Sequence, residues 1–291
     1  MTGAASGIGL ALAQRLANEG MDLAIADIEG GALVAAEAEL RGTGVRVLAV
    51  QLDVADEASV EGFAASALGA FGPPALLCNN AGVGGGWSPI WTATRKDWDW
   101  MLGVNLMGVV HGIRAFLPAM IEGGEEGHVV NTSSVAGLMT GPGQVYGVSK
   151  HAVTRLTEGL WYDLEAIGSR IGVSVLCPGI AATKINTAAR NRPSHSFDEG
   201  RSIDENRALF EAMEERYLAT GMPPAEVADI LLGAVREGRF YVFTHDWVLG
   251  SIERRTAAIL DGMQPPTLPG PAPEPGSGPV QAAPTSPTPG A

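Results

Sequence analysis

The strongest constraint on this chain's fold is the alternation of short apolar runs with longer amphipathic segments through its first 245 or so residues. Runs near 22–27, 45–51, 75–79, 127–132, 171–177 and 239–244 read as strands, and segments near 7–19, 31–41, 56–70, 97–121, 147–167 and 224–237 read as helices. Repetition of this kind leaves few topologies, because each crossover helix returns the chain parallel to the strand it left and covers one face of the sheet. The expected fold is α/β, a doubly wound parallel sheet in three layers. Ligands in such sheets bind beyond the carboxyl ends of the strands, where Gly3, Asp27, Asn79, Ser134 and Pro178 all fall.

Composition narrows the partners. With 291 residues and 46% apolar content, the chain can bury one sizeable core. A net charge of −13 leaves no basic stripe to neutralise phosphates, which argues against nucleic acid and anionic membranes and for a small molecule. Neither a membrane span nor a secretion leader is indicated. Cys78 and Cys177 sit at the apolar ends of expected strands, so they read as buried thiols in a reducing cytoplasm. His151 and His245 lack ligand partners at metal spacing, and no metal is expected. Residues 261–291 carry ten of the nineteen prolines and read as a disordered tail behind a domain spanning 1–260. Between 184 and 222 the strand pattern stops; the polar stretch 191–201 and a helical segment over 205–218 form an insertion that reads as a lid or as a disordered excursion.

Two motifs carry chemistry. In Tyr146-Gly147-Val148-Ser149-Lys150 a phenol and an ammonium lie one helical turn apart on one face, where the cation can bias the phenol toward ionisation. A surface i, i+4 pair has the same spacing. At the other end, Thr2-Gly3-Ala4-Ala5-Ser6-Gly7-Ile8-Gly9 runs directly into an amphipathic helix. Glycines there let the backbone approach a pyrophosphate, which the free N–H groups of a helix start favour; a Gly-rich turn before a helix would look the same.

Together with Asp27, Asp53-Val54, Asn79-Asn80-Ala81-Gly82, Asn105, Ser133-Ser134, Pro178-Gly179 and Thr183, all in order, these motifs resemble the short-chain dehydrogenase/reductase family in its single-domain branch. The resemblance spans residues 2 to about 245 and implies a Rossmann-like fold. It implies a catalytic set of Asn105, Ser134, Tyr146 and Lys150, and a cofactor site of Gly3, Ser6, Gly7, Ile8, Gly9, Asp27, Asp53, Val54, Asn80, Ala81, Gly82, Tyr146, Lys150, Pro178, Gly179, Ala181 and Thr183. Ser133 has the family's commoner spacing to the Tyr, thirteen residues, while Ser134 has the better local motif and is preferred. Asp27 would accept hydrogen bonds from ribose hydroxyls and repel a 2′-phosphate, so NAD is favoured over NADP; like charges at 4 Å cost on the order of 4 kcal/mol. Trp87, Trp91, Trp98 and Trp100 could wall an apolar pocket or simply pack a core.

The implied activity is NAD-dependent interconversion of a secondary alcohol and a ketone, with Tyr146 as general acid/base, its pKa lowered by Lys150 and the cationic nicotinamide, on an apolar small molecule. The alternatives are redox-neutral epimerisation or dehydration of a sugar nucleotide and a non-catalytic dinucleotide-binding scaffold. Family members pair as homodimers or homotetramers, and the same is expected here. The family's first strand precedes the Thr-Gly of the phosphate loop, and nothing precedes Met1 to form it. Two strands should then lose a hydrogen-bonding partner in mid-sheet, and the native protein is expected to extend upstream.

Overall fold

The computed structural model describes residues 1–85, 89–141, 144–198 and 207–266. Its strands are β1 (Leu23–Asp27), β2 (Val47–Gln51), β3 (Leu76–Asn79), β4 (Gly127–Thr132), β5 (Ile171–Cys177) and β6 (Tyr241–Phe243). Its helices are α1 (Gly7–Asn18), α2 (Gly30–Arg41), α3 (Glu57–Phe71), α4 (Arg95–Leu102), α5 (Gly108–Gly123), α6 (Val145–Ala166), α7 (Arg207–Thr220), α8 (Pro224–Arg236) and α9 (Trp247–Leu260). Every strand pairing is parallel, as the crossover helices require. β1 pairs with β2, and β3, β4, β5 and β6 follow one another in a second sheet.

Between the two sheets lies Met1–Ala4. Ala26 N–H donates to Met1 O (2.9 Å), Ala4 N–H to Ala26 O (3.2 Å) and Thr2 N–H to Cys78 O (3.1 Å). The expectation of two partnerless strands is therefore corrected at their carboxyl ends, where these residues join β1 to β3. Backbone groups buried in mid-sheet must find partners, and four residues supply them where the site is built.

Each face of the sheet has its own core. α1, α2 and α8 cover one side, burying Leu12, Leu16, Leu40 and Leu231 against Ile25 of β1. On the other side α3, α5 and α6 bury Val60, Phe63, Phe116 and Leu164, with Phe63 edge-on to Phe116 at 5.6 Å between ring centroids. The three expected layers are present.

The helix expected over 97–121 is interrupted. α4 starts at a reciprocal cap, in which Thr94 accepts from Asp97 N–H and Asp97 accepts from Thr94 N–H. A wide π-helical turn over Gly103–Met107 then separates α4 from α5. Such turns concentrate at functional sites, and this one carries Asn105. The continuous helical stretch Arg95–Gly123 is long and apolar enough to cross a bilayer by length and composition. Half of its apolar window is buried and α5 packs on α3 and β3, as a core helix does.

Gly9 fixes how closely α1 can approach the seam. A Cβ there would lie 1.9 Å from Gly3 O and 2.6 Å from Asn80 Nδ2. Gly9→Ala should destabilise the fold by about 1–3 kcal/mol, read from urea midpoints, and weaken dinucleotide binding by displacing the loop. Gly62, exposed in mid-α3 with nothing within 4 Å of its Cβ position, is the contrast: Gly62→Ala should stabilise by about 0.5–1 kcal/mol.

Candidate active site

Residues Thr2–Ser6 climb from the seam into α1 as a loop whose backbone suits an anion. Gly3 (φ 64°) and Gly7 (φ 54°) are left-handed, a conformation that side chains disfavour. Ser6 caps α1 without a side-chain hydrogen bond, so the first-turn N–H groups remain available to a phosphate. Asn80 holds the loop in place: its Nδ2 donates to Thr2 O and Gly3 O, both at 3.2 Å. The N–H groups of Asn80 and Ala81 donate to Thr2 Oγ1, each at 3.1 Å.

Two carboxylates mark the strand ends on the loop's far side. Asp27 accepts from Ala5 N–H (2.9 Å) through one oxygen and from Glu29 N–H (3.0 Å) through the other, which leaves each oxygen a lone pair for a ribose hydroxyl. Asp53 accepts from Ala55 N–H at 2.9 Å, and the Val54 carbonyl is held by buried His111 Nδ1 at 2.9 Å. His111 escapes a sequence reading because it acts only through another residue's backbone.

At the opposite end, α6 brings Tyr146 and Lys150 against β4. Lys150 is buried, and its Nζ donates to Thr132 O (2.9 Å) while lying 5.9 Å from the centroid of the Tyr146 ring. The Ser134 side chain lies close enough to that of Tyr146 to influence its titration, and both line the same cleft. Ser133 turns the other way, donating to Lys150 O (2.7 Å) and sharing a hydrogen bond with Thr154 Oγ1 (2.8 Å). Burial pushes the phenol up to about 12, with the nearby Ser134 hydroxyl opposing it. Burial also lowers the Lys150 ammonium to about 8. In the protein alone desolvation is the largest influence on the phenol, with the Lys150 Nζ 5.9 Å from the ring centroid; the lowering expected from Lys150 together with a cationic nicotinamide concerns the cofactor-bound state.

Asn105 is fully buried on the π-helical turn. It donates to Val83 O (3.0 Å) and Ser149 Oγ (3.0 Å) and accepts from Val83 N–H (2.8 Å), clamping the chain just after Gly82. These residues surround one cleft of about 900 Å³, large for a single ligand site. Every sequence-selected site residue lines it except Gly9 and Asn105, which sit behind the lining as spacer and clamp. Of the tryptophans, Trp100 lines the cleft, Trp98 packs in an adjoining cluster and Trp91 is exposed; Trp87 lies outside the described residues. The cradle, the strand-end carboxylates and the cleft's size fit a dinucleotide.

The insertion at 184–222 is described through 198 and again from 207; residues 199–206 of the expected lid lie outside the described residues. It bonds to both banks of the cleft. Arg190 Nη2 (2.6 Å) and Asn191 Nδ2 (2.8 Å) donate to Glu29 just beyond β1. Burial pulls the Glu29 carboxyl upward, but the bonds from Asn191 and Arg190 outweigh it and leave it below its ordinary value. On the other bank Arg192 pairs with Asp97 (2.7 Å) and lies over the rings of Trp100 and Phe197, while Lys96 Nζ donates to Phe197 O (2.6 Å). Glu29, Arg190, Asn191, Tyr217, Trp247 and Pro265 line the cleft and were not selected from the sequence, because no short motif carries them.

A family model described as short chain dehydrogenase matches residues 1–194. A solved short-chain dehydrogenase/reductase from Burkholderia phymatum, in complex with NAD, superposes with a TM-score of 0.87 at 40% identity, covering 93% of this chain and 96% of that one. The CLA biosynthesis dehydrogenase/reductase of Lactiplantibacillus plantarum is 34% identical over 265 residues, 89% of this chain and 92% of the relative. A 1-deoxy-11-beta-hydroxypentalenate dehydrogenase of Streptomyces avermitilis is 35% identical over 250 residues, 84% of this chain and 83% of the relative. With the glycine loop, the Tyr146–Lys150 pair and the parallel sheet in the family's arrangement, this chain belongs to the short-chain dehydrogenase/reductase family and is an oxidoreductase acting on CH–OH groups.

Proposed function

We propose that the protein interconverts a secondary alcohol and a ketone with NAD, using Tyr146 as general acid and base. The observation that carries this reading is that Tyr146, Ser134 and buried Lys150 line one cleft together with the glycine loop of the phosphate cradle. A nicotinamide dinucleotide, when bound, supplies the hydride donor or acceptor. Burial keeps Tyr146 protonated at neutral pH, the state from which it donates to a carbonyl oxygen during reduction. Ser134 fixes the oxygen that receives the proton. Lys150 is the nearby cation that favours the phenolate needed for the reverse direction, and its bond to Thr132 O sets where that charge sits. The backbone around Ile180-Ala181 and the Thr183 hydroxyl, which line the cleft, would hold the cofactor's carboxamide end.

Asp27 supports NAD over NADP, since a 2′-phosphate beside it would meet a carboxylate, and the cleft-lining Arg190 is engaged by Glu29. We place the enzyme in the cytoplasm, in keeping with the buried thiols Cys78 and Cys177, and as a homodimer or homotetramer through α5 and α6, in keeping with exposed Val148, Trp161 and Tyr162 on α6.

In steady-state assays over a panel of secondary alcohols, Tyr146→Phe should abolish turnover and leave NADH affinity nearly intact. Ser134→Ala should cost about a hundredfold in kcat, and Ser133→Ala much less; the reverse ranking would make Ser133 the substrate contact. NAD should exceed NADP in kcat/KM by about tenfold or more, a gap of about 1.4 kcal/mol, and Asp27→Ala should narrow it. Comparable efficiencies in the parent would remove Asp27 from the ribose site.

Lys150 should also show in stability. Its folded pKa, about 8, lies below its ordinary 10.5, so between those values the unfolded chain holds a proton that the folded chain has lost. Stability contributed by this group therefore rises with pH across that window, by about 3 kcal/mol. Below the window both states are charged and the burial cost is constant. The difference in unfolding free energy between parent and Lys150→Met should change with pH only there; a flat difference would mean that Lys150 is not desolvated.

A further inference from the structure

Composition places a tail from residue 261 onward, yet the first residues of that tail return to the site. α9 ends in a left-handed turn at Gly262 (φ 65°), with Met263 N–H bonded to Ala258 O at 2.8 Å. The turn reverses the chain and brings Pro265 and Pro266 onto the loop that joins Ser134 to Tyr146. There Thr140 Oγ1 donates to Pro266 O at 2.9 Å. Pro265 lines the same cleft as Tyr146 and Ser134, and so does Trp247 from the start of α9.

We infer that Trp247 and Asp261–Pro266 form the outer wall of the substrate pocket and select bulky, mainly apolar ketones and secondary alcohols; the inference rests on the alcohol–ketone reading above. Trp247 keeps 51% of its surface exposed, an indole that a guest can cover. Pro265 and Pro266 have no backbone N–H, so their side of the wall presents no donor that an apolar guest would leave unsatisfied. Trp100, Met139 and Tyr217 line the same cleft from three other parts of the chain, so a carbon skeleton wider than its carbinol centre meets apolar surface from several elements at once. The Thr140–Pro266 bond is the single side-chain tie that holds the wall to the catalytic loop among the described residues.

Calorimetry on the NAD+-saturated protein tests this with camphor as the bulky probe and cyclopentanone as the small one. Four proteins are compared: the full chain, a chain ending at Pro266, a chain ending at Gly262, and Thr140→Val. Camphor should bind at least about tenfold more weakly to the chain ending at Gly262 and about threefold more weakly to Thr140→Val, whereas the chain ending at Pro266 should match the full chain. Cyclopentanone affinity should change by less than about threefold throughout. Equal camphor affinity in all four proteins, no camphor binding by the full chain, or parallel losses for both ketones would overturn the wall. Thr140→Val keeps the question open to measurement if the shorter chain does not fold. If camphor affinity follows the wall while neither borneol nor cyclopentanol is oxidised, the alcohol–ketone reading fails and the wall stands.

Discussion

Four main-chain hydrogen bonds between Met1–Ala4 and the strands hold the two parts of the sheet in one frame, and the site depends on that frame. Asp27 belongs to one part, and Asn80, Thr132 and Ser134 to the other or to its strand ends. Without the seam, nothing in the sheet would fix the distance between the carboxylate at one end of the cleft and the phenol at the other. Thr2 serves both sides: its N–H reaches Cys78, and its hydroxyl accepts from Asn80 and Ala81. The glycine loop begins at the next residue, so the geometry of a phosphate cradle is inherited from sheet pairing rather than set by the loop alone.

Burial is the second constraint. An ammonium and a phenol within a few ångströms in low dielectric shift in opposite directions, the first toward about 8 and the second toward about 12. Neither shift follows from the two residues' sequence spacing, which is also that of an exposed helical pair. Depth distinguishes the two situations. Asn105 lies equally deep, a fully buried amide with its polar atoms bonded to Val83 and Ser149.

Much of this was legible in the chain. The parallel α/β order, the helix faces and the strand-end positions of Gly3, Asp27, Asn80 and Ser134 follow from hydrophobic period and turn residues, which are local signals. Spacing alone leaves Ser133 and Ser134 both open, and in the fold Ser133 is engaged by Lys150 O and Thr154. What escaped the reading is non-local or carried by weak patterns. α9 is amphipathic but follows a strand of only three residues, so its helical period was overshadowed by the Pro-rich composition beyond it. The break at Gly103–Met107 has no proline to announce it. Glu29, Arg190 and Asn191 meet across about 160 residues of sequence, and only the fold brings them together.

The insertion is tied down at two points of unequal strength. Arg192 is 9% exposed, lies over two aromatic rings and pairs with Asp97, whereas Arg190 and Glu29 are each about a third exposed. Water and salt screen the second pair far more than the first. Salt therefore loosens the insertion at Glu29, on one bank of the cleft, before it loosens it at Asp97 on the other.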